Sequence, residues 1–182
     1  MNCPVCKRTS LQPISLYDEL PANQCANCGG IWISSNQYLA WLRLQKNSLP
    51  EKPTGDIAPE LRTDTLKLCP ESGHIMKRFK VFPGADFHLD RCGHCNGIWF
   101  DSAEWDILVS HNMQDKVNQF FTAPWQERLR QKESHDNMDR IYRDKLGPED
   151  YQRIQQIREW LDANPRRAML LAFLQADDPF EV

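Results

Sequence analysis

The sequence predicts a small, metal-stabilised α+β fold that occurs in two tandem copies and is followed by a C-terminal all-α region. Two stretches, CANCGGIWISSNQY at residues 25–38 and CGHCNGIWFDSAEW at residues 92–105, match at an offset of 67 residues. Six of the seven cysteines lie in C-x-x-C pairs, a spacing that is typical of metal ligands. The chain beyond residue 121 has no cysteine and a composition compatible with helices.

Composition places the chain among soluble globular proteins, with 41% hydrophobic and 26% charged residues in 182. The net charge of −3 gives no overall attraction to nucleic acid. The longest apolar run, at residues 168–174, is too short to cross a bilayer, and the N-terminal MNCPVCKRTS lacks the apolar stretch of a signal peptide. We therefore expect a cytoplasmic protein without membrane association.

Each copy combines two short turns that begin at a cysteine, here called knuckles, with strand-like stretches and a helix. Three knuckles are C-x-x-C turns, and the fourth has the sequence CPES at residues 69–72. The strand-like stretches are LQPISLY in the first copy and MKRFKVF and FHLD in the second, with turns at Pro21 and Pro83-Gly84. Ser34-x-x-Gln37 and Asp101-x-x-Glu104 are aligned capping boxes, and each predicts a helix that follows.

The stretch NSLPEKPTGDIAPELRTD lies between the copies and is rich in proline, without hydrophobic periodicity. It predicts a semi-extended linker over residues 47–66 that separates two independent modules. The first module then covers residues 1–46 and the second residues 67–121, with the helical region at 122–182.

Four cysteines of the first copy form the pattern C-x2-C-x18-C-x2-C: Cys3, Cys6, Cys25 and Cys28. An odd number of cysteines in an intracellular chain argues against a disulfide framework. Tetrahedral zinc binds four such thiolates. A module this small has too little apolar core to be stable alone, and zinc binding contributes about 10 kcal/mol or more of folding free energy. Iron in a rubredoxin-like site is the alternative.

The second copy has three matching cysteines, Cys69, Cys92 and Cys95, with Ser72 at the position of the fourth. We expect His74 to be the fourth ligand. It lies two residues beyond the position of the missing cysteine, and its side chain is long enough to reach the metal from there. His88, His94 or a water molecule are the alternatives. A water ligand would make an open site of the catalytic kind, but no recognisable general base accompanies the knuckles, so we do not expect an enzyme. The prediction is two zinc ions per chain.

Trp32 and Trp99 each follow the last cysteine of their copy by four residues. We expect both rings to cover the small core beside the metal and to fix the knuckle to the helix. Base stacking or contact with a partner is the alternative role.

The quoted motifs resemble the bacterial transcription-factor-IIB-type zinc-finger domain, a zinc ribbon with a C-P-x-C knuckle and a C-x-x-C-x-G-x-W-x-D-x-x-E signature. The resemblance covers residues 1 to about 45 and 69 to about 112. It implies a zinc-ribbon fold and cysteine ligation at the matching positions, and it implies no particular activity. Ser72 departs from the pattern at a ligand position, and Ser34 and Gln37 depart from it in the helix signature.

The sequence of the C-terminal region predicts amphipathic helices. Their apolar surface is larger than two helices packed against each other can bury. Its charge is nearly balanced, since the chain from Thr122 onward contains 10 Lys and Arg and 12 Asp and Glu. We therefore expect an adaptor that binds a protein partner, or a second copy, through these helices, with transcription or translation machinery as candidate partners. The alternative is nucleic-acid binding through a basic and aromatic patch of the second copy. The patch consists of Lys77, Arg78, Phe79 and Lys80, with Phe82, Phe87 and Arg91 nearby.

Overall fold

The computed structural model describes residues 1–45, 65–83 and 87–180. The described part contains β1 (Gln12–Ser15), β2 (Pro21–Gln24), β3 (Ile31–Ile33), α1 (Ser35–Leu44), β4 (Met76–Lys80), β5 (His88–Cys92), β6 (Ile98–Phe100), α2 (Glu104–Ser110), α3 (Val117–Phe120), α4 (Ala123–Leu146), α5 (Pro148–Asp162) and α6 (Arg167–Gln175). Most of the predicted linker, residues 47–64, lies outside the described residues, as does Gly84 of the predicted turn. No helix of the described ranges is both long and apolar enough to cross a membrane.

The six strands form one antiparallel sheet in the order β1-β2-β3-β6-β5-β4. Each copy contributes three strands, and the two copies meet where β3 pairs with β6, a pairing here called the seam. Trp32 lies directly opposite Trp99 in the seam. The prediction of two independent modules is therefore wrong, because a three-residue strand from each copy completes the sheet of the other.

The two central strands are buried on both faces, and alternate residues serve different neighbours. Ile31, Ile33 and Ile98 join the large apolar core, which also contains residues of α1, α2 and α3. Trp32 and Trp99 point to the other face and belong to a cluster with the cysteines. The G-I-W motif thus places an isoleucine in one core and a tryptophan in the other.

The capping boxes differ between the copies. In the first copy the Ser34 hydroxyl accepts from the Gln37 N–H at 3.3 Å, and the Gln37 amide oxygen accepts from the Ser34 N–H at 3.3 Å. In the second copy Glu104 accepts from the Asp101 N–H at 2.7 Å. The structure gives α2 no side-chain N-cap, since its N-cap residue is Ala103. The second helix therefore has half of the predicted box.

The chain divides into two compact units, residues 1–131 and 132–182. The first residues of α4 pack within the first unit, where the Trp125 indole donates to the Val81 carbonyl at 3.2 Å and the Gln126 amide donates to the Lys80 carbonyl at 2.8 Å. The predicted start of the helical tail at residue 122 therefore lies inside the first unit. We call residues 1–131 the ribbon body and residues 132–182 the tail.

The seam depends on two glycines that have no room for a side chain. A Cβ on Gly30 would lie 2.1 Å from Cζ2 of Trp99, and a Cβ on Gly97 would lie 2.2 Å from Cζ2 of Trp32. Each tryptophan therefore covers the glycine that follows the knuckle of the other copy. Both rings are fully buried.

We predict that Gly30→Ala lowers the free energy of unfolding by about 3 kcal/mol, because a methyl group would overlap a buried ring that cannot move. Gly93→Ala is the matched control, since a Cβ there meets nothing within 4 Å. The control should change the free energy by less than about 1 kcal/mol. Chemical denaturation of both variants measures the difference, and equal effects would contradict the packing described for the seam.

Candidate metal centres

The four knuckles share one backbone conformation, which fixes where their side chains lie. In each knuckle, the N–H of the residue four positions after the first cysteine donates to the carbonyl of that cysteine, at 2.8–3.0 Å. That residue has a positive φ in all four cases, which glycine and asparagine adopt most readily. The residues are Lys7 (φ 60°), Gly29 (φ 71°), Gly73 (φ 71°) and Asn96 (φ 59°). The two copies therefore present their ligand positions in the same way.

The first centre consists of Cys3, Cys6, Cys25 and Cys28, whose sulfur atoms all lie within 4.8 Å of one another. The Cys3 and Cys28 sulfurs are 3.6 Å apart. Zinc–sulfur bonds of about 2.3 Å in a tetrahedron place the sulfurs about 3.8 Å apart. The donor set and its spacing therefore fit a four-thiolate zinc site.

The second centre consists of Cys69, Cys92 and Cys95, which meet the same 4.8 Å criterion. The Cys69 and Cys95 sulfurs are 3.5 Å apart. The Ser72 hydroxyl lies 3.3 Å from the Cys92 sulfur, so it takes the place that Cys6 takes in the first centre. The three sulfurs fit a second zinc site.

His74 lies away from the three sulfurs in this structure. Its ring is exposed, stacks on the ring of His94 with centroids 4.5 Å apart, and has Nδ1 3.1 Å from the Ser72 carbonyl oxygen. The knuckle has already turned at Gly73, and the His74 carbonyl accepts from the Cys69 N–H at 2.8 Å. His88 lies on β5, opposite Lys80. The structure thus brings together the seven predicted cysteines but not His74, whose ligand role stays a prediction.

The thiols within each centre have opposed tendencies to ionise. Burial raises the pKa of Cys92, but hydrogen bonds from the Ser72 hydroxyl and from the Cys95 N–H outweigh it and lower that pKa to about 7. Burial, together with hydrogen bonding to Cys69, raises the pKa of Cys95 to about 12. Thiolates this close repel one another, and a divalent cation relieves that repulsion when it binds them.

The two tryptophans connect the centres across the seam. The Trp99 indole donates to the Asp101 carboxylate at 2.8 Å, within its own copy. The Trp32 indole donates to the Glu71 carboxylate at 3.0 Å, in a knuckle of the other copy. As predicted, the rings lie beside the cysteines. The sequence patterns did not indicate that each ring packs on the other copy.

A buried cation lies beside the second centre. Lys67 is 1% exposed, and its ammonium is 2.6 Å from the Asp90 carboxylate and 3.0 Å from that of Asp101. Burial and, to a smaller extent, the charge of Asp101 raise the pKa of the neighbouring Glu104 to about 8. The sequence signal for this cluster is weak, because a lysine just before a knuckle reads as a surface residue.

A single sheet, two cysteine clusters and helices on the opposite face define a pair of fused zinc ribbons. A family model described as a transcription factor zinc-finger matches residues 2–44 and 68–111. Both ribbons therefore belong to this zinc-finger family, in two tandem copies, which confirms the resemblance and the predicted fold class. Comparisons with curated proteins and with solved structures give no match.

We predict a zinc-to-protein ratio near two by elemental analysis of protein purified without added metal. Cys25→Ser and Cys92→Ser should each lower the ratio toward one, because each removes a thiolate from a different centre. A ratio near one in the unaltered protein, unchanged by zinc supplementation, would disprove the second site.

We predict that Lys67→Met destabilises the protein by about 3–5 kcal/mol, because the buried carboxylate of Asp90 and the half-buried carboxylate of Asp101 lose their shared cation. Lys77→Met, on the exposed face of β4, is the matched control and should change the stability by less than about 1 kcal/mol. Thermal or chemical unfolding of the two variants compares them. Similar effects would show that the Lys67 ion pairs do not stabilise the fold.

Proposed function

We propose that this zinc-binding protein is a non-enzymatic adaptor. Its two zinc centres stabilise the ribbon body, and its tail binds another protein or a second copy of the chain. The candidate partners are components of the transcription or translation machinery, and the family description supports the first of these.

The observation that carries the proposal is the exposed apolar surface of the tail. On α5, Ile154, Ile157 and Trp160 are each about half exposed, at 47%, 48% and 53%. Helix α6 has no buried residue, and Met169 and Leu174 are 70% and 62% exposed. Apolar surface costs about 25 cal/mol per Å² in water, so a partner that covers these side chains would gain binding free energy from each of them.

The basic and aromatic patch of the second ribbon supports nucleic-acid binding less well. Arg78 lies 3.5 Å from the Asp90 carboxylate, and the Arg91 guanidinium lies over the Phe121 ring. Phe79 also packs on Phe121, with ring centroids 5.1 Å apart. Two of the cations and one of the aromatic rings that would bind phosphates and bases therefore make contacts within the ribbon body.

We predict that the double substitution Ile157→Ser and Trp160→Ser in the full chain abolishes association with the partner, because it removes apolar anchors from α5. The single substitution Gln156→Ser alters an exposed polar residue of the same helix and is the matched control. Light scattering measures self-association, and pull-downs from nuclease-treated lysate compare the proteins recovered by the variants.

The adaptor proposal requires a difference between the double substitution and the control in one of these measurements. It fails if the full chain is monomeric and all variants recover the same proteins. Recovery that depends on nucleic acid, and that is lost with nuclease, would favour the alternative function. Both zinc ions should remain bound in every variant, which shows that the ribbon body is intact.

A further inference from the structure

The two zinc centres differ in one ligand position, and the backbone turn that leads to that position is the same in both. The Cys6 N–H donates to the Cys3 sulfur at 3.3 Å, and the Ser72 N–H donates to the Cys69 sulfur at 3.4 Å. The difference between the centres at this corner is therefore the donor atom, sulfur in one and a hydroxyl oxygen in the other.

The Ser72 hydroxyl lies where a fourth ligand would. Bonds of about 2.3 Å to sulfur and about 2.1 Å to oxygen place two such ligands about 3.6 Å apart in a tetrahedron. The Ser72 oxygen is 3.3 Å from the Cys92 sulfur, close to that value. A hydroxyl is neutral and a weaker donor to zinc than a thiolate, so a stronger donor can replace it.

The surroundings of this corner are open to solution. Ser72 is half-buried, and its neighbours Glu71, Gly73 and His74 are exposed. A cleft of about 420 Å³ also lies between the N-terminal knuckles of the two ribbons, and Cys3 of the first centre and Cys69 of the second both line it.

We propose that Cys69, Cys92 and Cys95 hold zinc in the second centre with Ser72 as a displaceable fourth ligand, so that a small thiolate from solution can bind the metal there. In this exchange the incoming thiol releases its proton to water and its sulfur forms the new bond to zinc. The serine hydroxyl leaves as a neutral group. No oxidation or reduction takes place, and the first centre, with four thiolates, does not take part. The proposal does not depend on the adaptor function.

The test uses the full chain with cobalt in both centres, because absorption from thiolate-to-cobalt charge transfer grows with the number of bound sulfurs. The wild-type chain begins with seven protein thiolates. Titration with 2-mercaptoethanol should raise the band by about one part in seven, while dialysis shows that two cobalt ions per chain remain bound. Ser72→Cys should begin at the raised level and should not respond.

Cys6→Ser is the matched control, because it copies the donor set of the second centre into the first. This variant should begin one thiolate below the wild type and should gain two on titration. Zinc transfer to a chromophoric chelator gives a second measurement. The wild type should transfer one of its two zinc ions at least about tenfold faster than the other, which is the size of effect that residues around metal ligands have on metal affinity. Ser72→Cys should transfer both zinc ions slowly.

His74→Ala and His94→Ala separate this proposal from histidine ligation. If His74 is the fourth ligand, the wild type will not respond to the thiol and His74→Ala will, which overturns the proposal. A wild type and a His74→Ala variant that both fail to respond overturn it as well. Loss of cobalt on titration, in place of a gain in the band, is a further contrary result.

Discussion

The packing of each tryptophan on the glycine of the other ribbon is the constraint on which the rest of the ribbon body depends. With Cβ positions at Gly30 and Gly97 only 2.1 and 2.2 Å from the opposing rings, no larger residue fits without a shift. The pairing of β3 with β6 fixes where these contacts fall, and it buries both faces of the central strands. Both cysteine clusters also belong to the apolar cluster that contains the two rings. Metal binding and the seam therefore stabilise the same structure.

The two ribbons meet the same needs with different residues. In the second ribbon, Asp101 accepts from the Trp99 indole and from Lys67, so the helix that follows relies on Glu104 for its cap. In the first ribbon, Ser34 caps its own helix and has no carboxylate to offer. The Trp32 indole instead reaches Glu71 across the seam. Ser34 stands where the second ribbon has Asp101, and Glu71 in a knuckle of the second ribbon supplies the carboxylate that Ser34 lacks.

The local features of the fold could be predicted from the sequence, because each depends on residues close together in the chain. Knuckle spacing identified six of the cysteines, the internal repeat identified Cys69, and Ser34 with Gln37 identified the start of α1. The seam could not be predicted from the same patterns, since it joins residues 67 positions apart. A signal was present, however. The I-W-I and I-W-F stretches are apolar at every position, which is typical of a strand buried on both faces. Spacing also does not give the side-chain position of His74, because it indicates how far a side chain reaches but not where the turn at Gly73 directs it; the ligand role of His74 stays a prediction.

A fused pair of ribbons allows one centre to depart from four-thiolate ligation without loss of the fold. A single ribbon with three thiolates would depend on that centre alone for its stability, because so small a domain has little core. Here the second centre shares a sheet with a four-thiolate centre, and its helix packs in the common apolar core. The free energy that the missing thiolate would contribute can be supplied by the seam and by packing in that core. The fusion therefore separates stability from ligand exchange, and it gives a physical reason why Ser72 can stand at a ligand position.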